Sequence, residues 1–380
     1  MKPKLRFNEF NDEWNKVKIS SFVQELKIKT GNTEKYPLWS LTIENGVTPK
    51  TDRYERSFLV KKDDNYKIVE PNYYVYNPMN AHLGAIARNK SNTTISVSGY
   101  YDIFKIDNTN YGFYDNFFVS PVMFKQYKLF STGSLLEKQR VHYSQFKELE
   151  INLPTNKEQV KISNFLSLLD KKIELQSKKI EDLKLFKLSL KEKLLYMFPT
   201  DNKKLSEILI KWNKKNKDNK YSYVESVSNK FGFIAQNEQF EDRKVASNDT
   251  SNYYVIEKGV FAYNPSRLNV GSLALKQNDK VSLVSPLYEC FTTNQNQDFM
   301  LEWFQSKEFR RGTFSKYEGG VRNTLNFNNL SSIEIKLPNL ESQNKIVKVL
   351  SCYNKMIDLE LKKLNKLLEF KKGLMQQLFI

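Results

Sequence analysis

The apolar positions of Thr155–Phe198 form the clearest pattern in the chain. Ile162, Leu166, Leu169, Ile173, Ile180, Leu183, Leu190, Leu194 and Met197 step by four and three once the polar slots Gln176 and Lys187 are counted. That is a heptad seam. Positions 184 further on repeat it: Ile346, Leu350, Tyr353, Ile357, Leu364, Leu367, Leu374 and Leu378, with Glu360 and Lys371 in the same polar slots. The spacing predicts two long helices, over 155–199 and 339–380. Thr155 and Glu158 have capping-box spacing at the first start, and Pro199 closes that helix. About 40 residues at 1.5 Å each make a rod of roughly 60 Å.

Each helix follows a domain-sized segment, 1–154 and 200–338. In the first, Trp14–Ile19, Tyr36–Ile43, Tyr66–Val69, Tyr73–Tyr76, Leu83–Ala87, Thr93–Val97 and Leu149–Leu153 are rich in aromatic and β-branched residues, and they predict strands. Asn45-Gly46 signals a turn. Phe117–Phe130 predicts a helix, followed by a loop at Ser131–Ser134. The second segment repeats anchors of the first. Tyr263-Asn264-Pro265 follows Tyr76-Asn77-Pro78 by 187 positions, and Val270–Ala274 and Val284-Ser285 follow Leu83–Ala87 and Val97-Ser98 by the same offset. Glu334–Pro338 follows Glu150–Pro154 by 184. The fold class is therefore α+β: two β-rich domains, each followed by a long helix. An antiparallel coiled coil of the helices gives the molecule pseudo-two-fold symmetry. Centring the pair on its polar slots predicts that Lys187 meets Glu360 and Gln176 meets Lys371, which fixes the register.

Charge sharpens the picture. The 380 residues carry 60 Lys+Arg against 43 Asp+Glu, a net charge of +17, with hydrophobic residues at 40%. A folded chain with that excess points to a polyanionic partner, nucleic acid above all. Cys290 and Cys352 suggest neither a disulfide framework nor a metal site. No apolar run of about 18 residues suggests a membrane span. With no apolar signal core after the basic N-terminus, a cytoplasmic location is expected.

Catalytic tool sets are missing. Asn77-Pro78-Met79-Asn80 and Asn264-Pro265-Ser266-Arg267 begin like an amino-methyltransferase tetrad but lack the second proline and the aromatic, so they read as structural turns. There is no Gly-rich phosphate cradle. Glu334-Ile335-Lys336 lacks the upstream acid of a nuclease, and His82 and His142 have no ligand partners at metal spacing. Basic and amide residues in loops are candidate DNA contacts: Lys50, Arg53, Arg56, Arg88, Asn89, Lys90, Gln139 and Arg140 in the first segment, and Arg243, Lys244, Arg267, Arg310, Arg311, Arg322 and Asn323 in the second. Arg suits guanine and Asn or Gln suits adenine, while Lys mostly holds phosphate. Off the seam, Leu168, Leu175, Leu185, Phe186, Leu188, Leu195 and Phe370 are apolar enough to dock a partner, and Leu185, Phe186 and Phe370 are the foremost partner-binding candidates.

Gln139–Ile151, Leu153-Pro154, Glu158-Gln159 and the run Ile162, Phe165, Leu166, Leu169, Asp170, Ile173 together resemble the specificity (S) subunit of type I restriction–modification systems. Glu334-Ile335, Leu337-Pro338, Gln343, Ile346 and Leu350 repeat that framework, with Ser342 in place of Glu158. The resemblance implies two target-recognition domains reading the halves of a bipartite, asymmetric duplex DNA target, with the paired helices as spacer. It implies two methylase (M) subunits that bring S-adenosylmethionine, and motor-nuclease (R) subunits that use ATP and Mg. It implies no catalytic residue, cofactor or metal in this chain. Two alternatives stay open: the specificity module of a combined methylase–nuclease, and a coiled-coil scaffold joining two interaction domains. A stand-alone methyltransferase is disfavoured by the incomplete tetrad.

Overall fold

A computed structural model describes residues 2–50, 66–132, 140–229, 231–236, 249–317 and 324–380. The chain is α+β and divides into two compact units, Met1–Ser177 with Lys362–Ile380, and Lys178–Leu361. The division cuts both long helices near their middles rather than at the segment boundaries read from the sequence.

In the first unit a four-stranded antiparallel sheet runs Val23–Leu26, Asp102–Ile106, Tyr74–Tyr76, Ile86–Arg88. A separate pair joins Asn15–Lys18 to Glu150–Leu153. A third sheet pairs Tyr66–Val69 with Ile95–Val97 and adds Lys29–Thr30. In the second unit the four-stranded order is Leu209–Lys211, Glu289–Thr293, Phe261–Tyr263, Leu273–Leu275. The pairs Thr200–Lys204 with Glu334–Pro338, and Tyr254–Ile256 with Ser282–Val284, complete the same plan. A hairpin belongs to the plan as well: Trp39–Thr42 with Gly46–Pro49 in the first unit, and Glu225–Ser228 with Gly232–Ala235 in the second, each turned at a glycine of positive φ, Gly46 and Gly232.

The repeat extends to the core. Tyr74 stacks on Phe104 at 5.2 Å and 8°, and Phe118 meets both edge-on. In the second unit Phe261 stacks on Phe291 at 5.1 Å and 3°, with Phe304 edge-on to both. Each such ring pair contributes about 0.5–1.5 kcal/mol beyond its burial. Gly84 (φ +97°) and Gly271 (φ +86°) end equivalent 3₁₀ turns in the left-handed region, which favours glycine. The Asn-Pro turns are structural. The Asn77 side chain accepts from Met79 N and that of Asn264 from Ser266 N, while Pro78 O and Pro265 O accept from Val141 N and Leu325 N.

The long helices are Asn156–Leu195 and Leu340–Leu378. Each is tied to its unit by a buried glutamine one turn in. Gln159 Nε2 donates to Pro154 O at 3.0 Å, and Gln343 Nε2 donates to Pro338 O at 2.8 Å. The first halves of the seam pack in different units. Ile162, Leu166 and Leu169 join the core of the first with Leu374 and Leu378, while Leu194 joins that of the second with Ile346 and Leu350. Ile180 and Ile357 are also buried, and Ile173, Leu183, Leu190, Leu364 and Leu367 are half-buried.

Several expectations are corrected. The predicted helix Phe117–Phe130 is two helices, Tyr111–Phe117 and Pro121–Phe130, because Ser120 caps the second and Pro121 occupies its first position. Glu158 does not turn back on the helix start; its carboxylate receives Arg6 Nε and Nη2 at 2.8 and 2.7 Å. Met197 lies past the helix end and is exposed, whereas Leu195 is buried rather than free for docking. Lys187 does not meet Glu360. It binds Glu302 at 2.8 Å, and Glu360 is met by Lys179 at 2.9 Å, eight positions earlier. Lys371 binds Asp170 at 2.5 Å, and Phe186 lies 5.4 Å from Tyr353. Residue numbers fall on one helix as they rise on the other, so the pairing is antiparallel.

Candidate nucleic-acid interface

The candidate contacts separate by burial. Asn89 is fully buried and its amide is fully used: Nδ2 donates to Val69 O and Thr93 O at 3.1 and 3.0 Å, and Oδ1 accepts from Ser91 N and Oγ. It is a turn-builder and cannot read a base from there. Arg88 is likewise engaged. Its guanidinium grips Asp115 through Nε and Nη2 at 3.1 and 3.0 Å, also binds Asn72, and sits 4.9 Å over the Tyr111 ring. Burial is the largest influence and lowers its proton affinity, but the Asp115 hydrogen bond and charge, with Tyr74 and Tyr111, together outweigh it and the net shift is upward. Both residues belong to the framework, because a strand end that reads as a loop in sequence folds inward. Lys90 is exposed, though it too leans on Asp115 at 3.2 Å.

The remaining described candidates face solvent. Lys50 follows the strand Gly46–Pro49, and Arg140 pairs its backbone with Thr132 across residues 133–139. Arg267 precedes the turn Leu268–Val270, and Arg310 and Arg311 lie on the helix Lys307–Phe314. Arg310 lines an open groove of about 840 Å³ with Asn229, Asn269, Phe314 and Tyr317. With Gln305, Phe304 and Phe309 also in its lining, that groove brings together a guanidinium, three amides and four rings, the types that read base edges and stack on bases. Arg53, Arg56, Gln139, Arg243, Lys244, Arg322 and Asn323 lie outside the described residues.

Other groups escaped the sequence reading. Lys215 sits 3.1 Å over the Tyr254 ring, and Lys280 3.2 Å over Tyr223. The signal was the run Lys211–Lys220, five lysines in ten residues beside a tyrosine-rich stretch. Tyr100 and Leu287, the tips of equivalent turns, were also missed. Among the described residues no group of three or more His, Cys, Asp or Glu could hold a metal ion, and no helix is long and apolar enough to cross a membrane.

On the helices, Leu185 (60% exposed) and Phe370 (55%) turn outward. Phe186 is exposed on one side and packs Tyr353 on the other. Leu185 and Leu188 line a groove of about 690 Å³ with Ser189, Glu192, Lys193, Tyr196 and Lys307.

Residues 200–369 match the family model described as type I restriction modification DNA specificity domain. Over that span the chain is similar to the specificity-subunit family. The matched span covers most of the second unit, and the repeat of strand order, ring stack and glutamine lock extends the same framework to the first. The whole chain is similar in fold to a type I restriction–modification S subunit from M. genitalium (TM-score 0.53, 15% identity, covering 100% of this chain and 99% of that one). It is also similar to a chain from a structure addressing complex assembly and conformational transition of the type I R-M system (TM-score 0.60, 12% identity, 98% of each chain). A comparison with curated protein sequences gives no match.

Proposed function

We propose that this chain is the DNA-recognition component of a type I restriction–modification complex, with each unit reading one half of a bipartite target. One observation carries the reading: a framework that matches a DNA specificity domain in the second unit recurs in the first, hairpin included, with different exposed side chains in each copy. Equal frameworks with unequal surfaces suit an asymmetric target. The net charge of +17 supports binding to phosphate that weakens steeply with salt. A continuous helix of roughly 60 Å passes from residues of one unit into residues of the other, a length on the scale of one to two duplex turns. The exposed apolar positions Leu185, Leu188 and Phe370 support docking of two methylase subunits. In this reading S-adenosylmethionine, ATP and Mg act in partner subunits, and motor-nuclease subunits join the assembly. The chain itself recognises and positions, and its place is the cytoplasm with the DNA.

The test is methylome sequencing of a host expressing the chain with a type I methylase subunit. A split motif carrying N6-methyladenine on both strands, lost on deletion of the chain, is the expected result. Unchanged methylation after deletion would remove the reading.

A further inference from the structure

The turn between the strands Ile95–Val97 and Asp102–Ile106 recurs between Ser282–Val284 and Glu289–Thr293. Both turns are built on a serine. Ser98 Oγ accepts from Tyr100 N at 3.4 Å, and Ser98 O accepts from Tyr101 N at 3.1 Å. Ser285 Oγ accepts from Leu287 N at 3.4 Å, and Ser285 O accepts from Tyr288 N at 3.1 Å. The residue after the tip is held inward in both, as Tyr101 and Tyr288 pack against the sheet clusters. The tip itself stands in solvent, Tyr100 at 87% and Leu287 at 77% exposure.

One exposed apolar residue is ordinary. A large apolar residue kept outward at the same position of two diverged copies is a different observation, since the neighbouring position changes freely from Gly99 to Pro286. Val97, which leads into the first turn, pairs with Lys67, whose ammonium donates to Tyr101 O at 2.6 Å and Asp102 Oδ1 at 3.2 Å, and Lys67 pairs in turn with the exposed Lys29. Val284, which leads into the second, pairs with Tyr254, under the Lys215 ammonium. An apolar tip on a chain of net charge +17 suits a polyanion with an apolar interior reachable between stacked plates. Duplex DNA has that chemistry: apolar side chains enter between base steps while lysines hold the flanking phosphates.

We propose that Tyr100 and Leu287 are wedges, each entering a base step of the half-site its unit reads. The proposal rests on the DNA-recognition reading above and adds to it the residues that deform the target. Tyr100 stacks on a base, while Leu287 parts a step without stacking, so the two half-sites are deformed differently.

The test uses the full chain assembled with methylase subunits, on the duplex identified by the methylome, with 2-aminopurine placed at successive positions. Wild type raises the fluorescence at one step in each half-site. Tyr100→Ser abolishes the rise in one half and Leu287→Ser in the other. Each weakens binding roughly 5- to 100-fold, without changing the slope of affinity against salt or the Tm. Variants with wild-type affinity and wild-type fluorescence would overturn the wedges and leave the recognition reading standing. Weakened binding with an unchanged fluorescence pattern would also overturn them, placing the tips on the backbone. A wild-type complex without sequence-dependent binding would overturn both.

Discussion

Tyrosines show how far single residues depend on the core around them. Burial pushes the phenols of Tyr74, Tyr76, Tyr127, Tyr143 and Tyr263 upward, with Asp115 adding to the shift at Tyr74, and it takes Tyr114 to about 12. In the unfolded chain the same phenols ionise near 10. The folded state therefore holds these protons longer, and their contribution to stability is full below pH 10 and is lost as pH rises above it. A titration followed at 295 nm is expected to rise in two stages, the first of them reversible. The buried set follows only together with loss of near-UV circular dichroism. Ionisation of all phenols while that signal persists would contradict the burial described. The same dependence explains the misread candidates. Nothing in the tripeptide Arg88-Asn89-Lys90 reveals that Asp115, far along the chain, closes over it, or that Val69 O and Thr93 O wait for the Asn89 amide.

Elements were read more securely where periodicity is long. Ten steps of a heptad ladder outweigh any local ambiguity, and Tyr66–Val69 is a strand in sequence and structure alike. Asp102–Ile106, the strand that joins both neighbours in the first four-stranded sheet, went unread because Lys105 interrupts a short apolar run. Helix register was out of reach for another reason. Seam charges pair with flanking positions of the opposite helix, Glu360 with Lys179 and Lys371 with Asp170, rather than with seam positions. Glu360→Lys is expected to destabilise the protein, and adding Lys179→Glu to restore about 0.5–1 kcal/mol of coupling in denaturant melts, since Lys179 is half in water. Adding Lys187→Glu instead should restore nothing, because Lys187 serves Glu302. Rescue by Lys187→Glu and not by Lys179→Glu would reverse the assignment.

For the molecule as a whole, the repeat makes a prediction about targets. Replacing residues up to about 150 with those of another family member should change one half of the methylated motif and leave the other; a change in both halves would refute one unit per half-site. The first unit is also discontinuous, since residues 362–380 belong to it. Leu374, Met375, Leu378 and Phe379 lie in its core, with Phe379 edge-on to Phe113 and Phe117. Birth order and completion order on the ribosome therefore differ. At about 5–20 residues per second, the first-made unit waits roughly 10–40 s for its closing residues, while Lys178–Leu361 is already whole. A nascent chain released early would carry one finished unit and one left open, and the open one would be the one synthesised first.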